Sequence, residues 1–159
     1  MKFSRLFAVA ALTTAIAFPA AALEVKKSVS VAAGADEVWK TIGGFCGIAE
    51  WHPAIAKCEL SKKGSAVLRT LSLNGGGTVV EKLLRLNDEK YQYTYSVVAG
   101  PLPVDQYKST LLVKKFAGGS TITWVGSFVA KGAPDAKAIE VISGVYEGGL
   151  ASLKKKLTK

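Results

Sequence analysis

The chain has 159 residues, 49% of them hydrophobic, with a formal net charge of +9. That length allows one domain with a real core, and lysines scattered without interleaved aromatics argue against a nucleic-acid-binding face. One histidine and two cysteines without a C-x-x-C spacing make a poor zinc donor set, so neither a metal nor another cofactor is expected.

In chain order, Lys2 and Arg5 precede an apolar run from Leu6 to Phe18, then Pro19 and Ala20-Ala21-Ala22. This reads as a secretory signal peptide over 1–22, with a small-residue cleavage site. The run is short for a membrane span, an uncleaved anchor is the less favoured reading, and no later segment is apolar for long enough to cross a bilayer. The mature domain is then 23–159, periplasmic or secreted, and losing Lys2 and Arg5 lowers its formal charge from +9 to +7. Lys154, Lys155, Lys156 and Lys159 supply much of the excess. They form either a solvated face or a surface attractive to an acidic partner protein or anionic lipid.

Val25, Lys27, Val29 and Val31 alternate with polar neighbours, as in a strand. A short helix follows from Asp36 to about Ile42, and glycines 43, 44 and 47 break the chain before a second short helix or turn ending at Trp51-His52-Pro53. Strands are predicted over 55–61, 66–73, 78–87, 90–99, 106–115 and 120–130, with Gly, Pro, Asn and Asp between them. Asp135 to Leu157 reads as one long amphipathic helix, with Ile139, Ile142, Val145, Tyr146, Gly149, Leu150, Leu153 and Leu157 on its apolar face. Gly149 is unexpected there, since a helix interior prefers Ala by ~1 kcal/mol. Either something approaches closely at Gly149 or space is left beside it.

Turn lengths predict which strand residues face each other. A three-residue loop at 87–89 sets Leu83 opposite Tyr93 and Glu81 opposite Tyr95, and a Gly118-Gly119 turn sets Val113 opposite Trp124 and Leu111 opposite Gly126. The 74–77 loop places Arg69, Leu71, Val79 and Glu81 on one inner face. An antiparallel sheet of about seven strands curved round a terminal helix is an α+β helix-grip architecture. With Gly126 on the sheet and Gly149 on the helix, contact between the layers need not be complete, and a cavity is expected.

Arg69 and Glu81 are the sharpest anomaly, because inward-facing charges are seldom left unpaired. They form either a structural ion pair or a pair that orients a ligand, and Glu81 is also a weak candidate for a general base. His52 is a surface or capping histidine, or one that binds at a pocket mouth, and is the other weak catalytic candidate. No nucleophile-elbow motif accompanies it. Tyr93, Tyr95, Tyr107, Trp124 and Tyr146 are inward candidates whose polar ends need partners. Gly75 to Gly77 is a flexible loop, and Gly100-Pro101-Leu102-Pro103 a stiff apolar one. Together they would make a gate at one end of a cavity. Cys46 and Cys58 are either bridged or two separate buried thiols.

Val38-Trp39, Trp51-His52-Pro53, Arg69 with Leu71, Glu81 with Leu83, Gly100 to Pro103 with Tyr107, Trp124, and Val145-Tyr146 with Gly149-Leu150 and Leu153 occur in an order that resembles the START-like superfamily. That superfamily includes plant Bet v 1 allergens and bacterial polyketide cyclase/dehydrase-type proteins. The resemblance implies a hydrophobic cavity between sheet and helix for lipids, sterols, hormones or polyketides, with Trp51, Pro101, Leu102, Ile142 and Gly149 beside the residues above. It is also similar to the plant abscisic acid receptors, whose gate loop, latch loop and cavity glutamate match Gly75 to Gly77, Gly100 to Pro103 and Glu81. Where those receptors carry a carboxylate-binding lysine, this chain has Ala56, with Lys57 beside it, which argues against an acidic ligand. Exported bacterial members resemble the periplasmic accessory protein associated with methanol dehydrogenase, which implies a basic surface for docking to a redox enzyme. A binding protein is thus the first expectation, with a cyclase or dehydratase using Glu81 or a tyrosine, or an accessory protein, as alternatives.

Overall fold

The computed structural model describes residues 21–158, so nearly all of the signal segment over 1–22 lies outside the described residues. Strand β1 (Leu23–Val31) leads into helix α1 (Ala35–Ile42) and a 3₁₀ turn (Gly47–Glu50). Six strands follow: β2 (Ile55–Lys63), β3 (Ala66–Leu73), β4 (Thr78–Asn87), β5 (Gln92–Ala99), β6 (Val104–Phe116) and β7 (Gly119–Ala130). Helix α2 (Asp135–Leu157) closes the chain. The strands form one antiparallel sheet in the order β1-β7-β6-β5-β4-β3-β2, curved round α2, which packs on β1 and β7. This is the expected helix-grip architecture. Among the described residues, no helix is long and apolar enough to cross a membrane.

Alternation along the strands builds the inner face. Arg69 and Leu71 on β3, Val79 and Glu81 on β4, Tyr93 and Tyr95 on β5, Leu111 and Val113 on β6, and Ile122, Trp124 and Phe128 on β7 are all buried. Helix α2 answers with Ala138, Ile142, Tyr146, Gly149, Leu150 and Leu153. Ile139, expected on that face, is exposed, and Ala138 is buried in its place. The buried stripe runs 138-142-146-149/150-153, and its small first residue lets the helix start close to the sheet. Asp135 in the first turn and Lys154 to Lys156 in the last suit the helix dipole.

Two hairpins are offset from the expected pairing. Leu83 lies opposite Tyr95 and Glu81 opposite Val97, because the connection is 88–91 rather than 87–89, which moves the pairing by three residues, and a bulge between Leu83 and Arg85 takes one back. The connection is held by Tyr91 at φ 47° and by the Lys90 N–H donating to Asn87 Oδ1. In the β6–β7 hairpin the turn is Ala117-Gly118, Phe116 pairs with Gly119, and Leu111 lies opposite Trp124 and Ser109 opposite Gly126. Both offsets are of two residues, so every side chain keeps its expected face.

Cys46 and Cys58 are disulfide-bonded, with Cα atoms 5.5 Å apart, which decides between the two open readings. The bond ties the segment before the 3₁₀ turn to edge strand β2. Reduction is expected to lower stability by about 3 kcal/mol on the chain-entropy model. Urea unfolding with and without reductant, and with both cysteines changed to Ser, checks this. Coincident midpoints would mean that the bridge constrains little.

Candidate functional site

The 74–77 loop, with Gly76 and Gly77 at φ 89° and 86°, returns the chain so that Arg69 pairs with Glu81 and Leu71 with Val79. These positive φ values are the reason for glycine there. Arg69 Nε donates to Glu81 Oε2 at 2.5 Å, and Nη1 donates to the Phe45 carbonyl. The guanidinium also lies 4.2 Å from the Phe45 ring centroid and 4.9 Å from that of Tyr95. Burial works against the Arg69 charge, but Glu81 and the neighbouring tyrosines hold it above its ordinary value. Burial pushes the Glu81 carboxyl up, with Arg69 pulling against that rise.

Between the sheet and α2 lies a cavity of about 120 Å³. Its wall is apolar, from Ile48, Ile55, Leu71, Leu73, Val79, Leu102, Ile142 and Val145 among others, and Glu81 is its one carboxylate. Leu73 and Val79 flank the glycine loop and Leu102 belongs to the Gly100–Pro103 loop, so both loops meet at this cavity. Lys57 does not reach it: a bulge between Ile55 and Lys57 leaves that side chain exposed and paired with Glu59.

A chain of buried hydroxyls runs from the cavity wall to the sheet. Trp124 Nε1–H donates to Tyr95 Oη at 3.0 Å, and Tyr95 Oη lies 3.5 Å from Tyr107 Oη. Tyr107 Oη lies 2.6 Å from Tyr146 Oη, Tyr146 Oη is 2.8 Å from Ser109 Oγ, and Ser109 donates to the Val125 carbonyl at 3.0 Å. The Val125 carbonyl can only accept, which fixes the direction of the protons from Tyr107 through Tyr146 and Ser109 to Val125. Ser109 gives its proton to Val125, Tyr146 to Ser109 and Tyr107 to Tyr146. Burial pushes Tyr95 and Tyr107 well up and Tyr146 to about 12, so all three stay protonated at neutral pH. Gly126 makes this possible, because a Cβ there would collide with Tyr146 Oη.

His52 is fully committed within the fold. Its Nε2 lies 2.9 Å from the Val145 carbonyl and must donate to it, while Nδ1 accepts from the Ala54 N–H at 3.2 Å. That is the neutral tautomer with both ring nitrogens engaged, so in this structure His52 caps and packs. Gly149 is the reason the imidazole reaches α2. A Cβ there would lie 2.6 Å from His52 Cδ2 and 2.9 Å from Trp124 Cζ3. The expectation of spare room beside Gly149 is therefore corrected: two rings fill it.

Burial lowers the His52 pKa below its ordinary 6.5. Above that value both folded and unfolded histidines are neutral, and as pH falls below it the unfolded chain takes up the proton first. His52 is thus expected to make stability fall on acidification from about pH 6.5 down to its folded pKa. A His52→Gln variant should lack that component when unfolding is followed across pH 7 to 5, and parallel profiles would refute it.

Of the residues expected from the sequence to bind a ligand, His52, Glu81, Tyr95, Leu102, Tyr107, Trp124 and Ile142 line the cavity. The others stand outside its wall. Arg69 lies behind Glu81, and Tyr93 packs between Phe45 and Tyr95. Trp51 meets Trp124 edge to face at 5.7 Å, and Tyr146 stacks on Trp124 at 4.5 Å. Pro101 is exposed. Sequence reasoning passed over Ile48, Ala54, Ile55, Leu73 and Val145 as site residues. Leu73 continues the i, i+2 series of Arg69 and Leu71, and Val145 lies one turn from Ile142, so periodicity held a signal for those two. Nothing local distinguishes Ile48, Ala54 or Ile55.

Solved structures with this architecture include the protein XoxI from Bacillus cereus, 32% identical, with a TM-score of 0.79 over 84% of this chain and 94% of that one. The ZhuI aromatase/cyclase from Streptomyces sp. R1128 is 19% identical, with a TM-score of 0.70 over 86% and 94%. Ara h 8.0201 is 15% identical, with a TM-score of 0.70 over 86% and 98%, and these last two share the fold. No curated protein matches the chain. The model of the family described as polyketide cyclase / dehydrase and lipid transport matches residues 22–158, and the chain belongs to that family.

Proposed function

We propose that the mature protein is an exported binding protein that holds a small hydrophobic or amphipathic molecule between its sheet and α2. The observation that carries this is the cavity itself. Protein interiors close-pack, so an apolar-walled space of about 120 Å³ left between sheet and helix is suited to an apolar guest. Export is supported by the charged and apolar pattern over 1–22.

Native mass spectrometry of protein purified from its own periplasm, with extraction of any bound species, is the direct test. A bound molecule, or a melting temperature raised by members of a lipophile panel, is the expected result. An empty protein indifferent to the whole panel would overturn the reading.

A second reading is acid–base catalysis, favoured by Glu81, whose carboxyl is pushed up by burial, sharing the cavity with Tyr95 and Tyr107. A Glu81→Gln variant that turned over a substrate at the parental rate would remove it.

A further inference from the structure

We propose that the cavity selects a neutral, single-ring-sized molecule carrying a hydroxyl group, whose oxygen accepts from Tyr95 and whose proton goes to Glu81. This deepens the binding reading above and rests on it. The donor follows from the hydroxyl chain. Tyr107, Tyr146 and Ser109 each spend their proton on the next acceptor, but the Tyr95 proton has only the 3.5 Å approach to Tyr107, which is too long for a good O–H···O bond. Tyr95 lines the cavity, so it holds the spare donor. The acceptor is Glu81. Its Oε2 is bound by Arg69, and it makes no other side-chain hydrogen bond among the described residues.

Charge narrows the class. Among the described residues no Lys or Arg lines the cavity, and Glu81 is already balanced by Arg69 behind it. A carboxylate would face Glu81 without a cation, and an ammonium would bring an unmatched charge into an apolar space. A ketone would satisfy Tyr95 and leave Glu81 Oε1 unmet, and a hydrocarbon would satisfy neither. A hydroxyl both donates and accepts. Size sets the scale: the cavity, about 120 Å³ and partly open, is of the order of an engineered apolar cavity of about 150 Å³ that holds benzene.

Calorimetric titration of the mature protein with phenol, benzene and benzoate tests this. Transfer from water alone favours benzene over phenol at an apolar wall, so a phenol preference is diagnostic. Phenol is expected to bind at least ~10-fold tighter than benzene, with no detectable binding of benzoate. Tyr95→Phe should abolish the preference for phenol over benzene, and because it also takes the acceptor from Trp124 Nε1–H, the ratio of the two affinities within the variant is the readout. Glu81→Gln, which disturbs the Arg69 pair, is read only alongside Tyr95→Phe. Equal affinity for phenol and benzene, or binding of benzoate, overturns the hydroxyl class and leaves the binding reading standing. Failure of both phenol and benzene to bind overturns the single-ring hydroxyl class, and the binding reading then stands or falls on the lipophile panel and on the bound species extracted from the native protein.

Discussion

Arg69→Ala is expected to lower the free energy of unfolding by about 3–5 kcal/mol, since it leaves a buried carboxylate without its partner. Arg69 is fully buried and Glu81 is 5% exposed, so water does not replace the lost guanidinium. The Phe45 carbonyl loses its donor in the same step, and the Phe45 and Tyr95 rings lose the cation between them. Replacing both charges by apolar residues, Arg69→Met with Glu81→Leu, should recover most of the loss, because the desolvation of two ions roughly cancels their attraction. Urea unfolding of the three proteins measures the coupling. A single-variant loss below about 1 kcal/mol would show that the pair is solvated and does not organise the wall. The recovered double variant would then lack the acceptor that a hydroxyl-bearing ligand requires, which separates the pair's structural role from its role in binding.

Gly149→Leu should destabilise by about 1–5 kcal/mol. Overpacking contributes roughly 1–3 kcal/mol, since even its Cβ would lie 2.6 Å from His52 Cδ2 and 2.9 Å from Trp124 Cζ3. Driving the imidazole away also breaks its bond to Val145, for roughly another 1–3 kcal/mol. The gain in helix propensity returns only ~1 kcal/mol. Thermal and urea unfolding read the effect. Wild-type stability in this variant would mean that the His52 and Trp124 rings can retreat, and that the spare room expected from the sequence exists after all.

The placement of elements was legible because hydrophobic period is a local property. Helix α2 runs over the residues its apolar repeat marks, and β3 and β4 do likewise. Register was less legible. The 88–91 connection depends on Tyr91 in the left-handed region, and the β6 bulge between Asp105 and Lys108 contains Gln106 at φ 52°. Neither is a glycine or asparagine, so neither carries the usual sign of positive φ. The faces survived because both offsets were even.

By itself the sequence determined which residues face inward: Arg69, Glu81 and the tyrosines follow from alternation along strands and need no knowledge of their partners. Only the tertiary structure decided what those residues do there. His52 meets Val145 across 93 positions and Tyr107 meets Tyr146 across 39, so the histidine tautomer and the order of the hydroxyl protons depend on contacts no local pattern encodes. The disulfide belongs to the same class, since it depends on how the 3₁₀ segment lies over β2. So does the cavity, because a void is what remains after distant surfaces have packed, and its volume depends on all of them together.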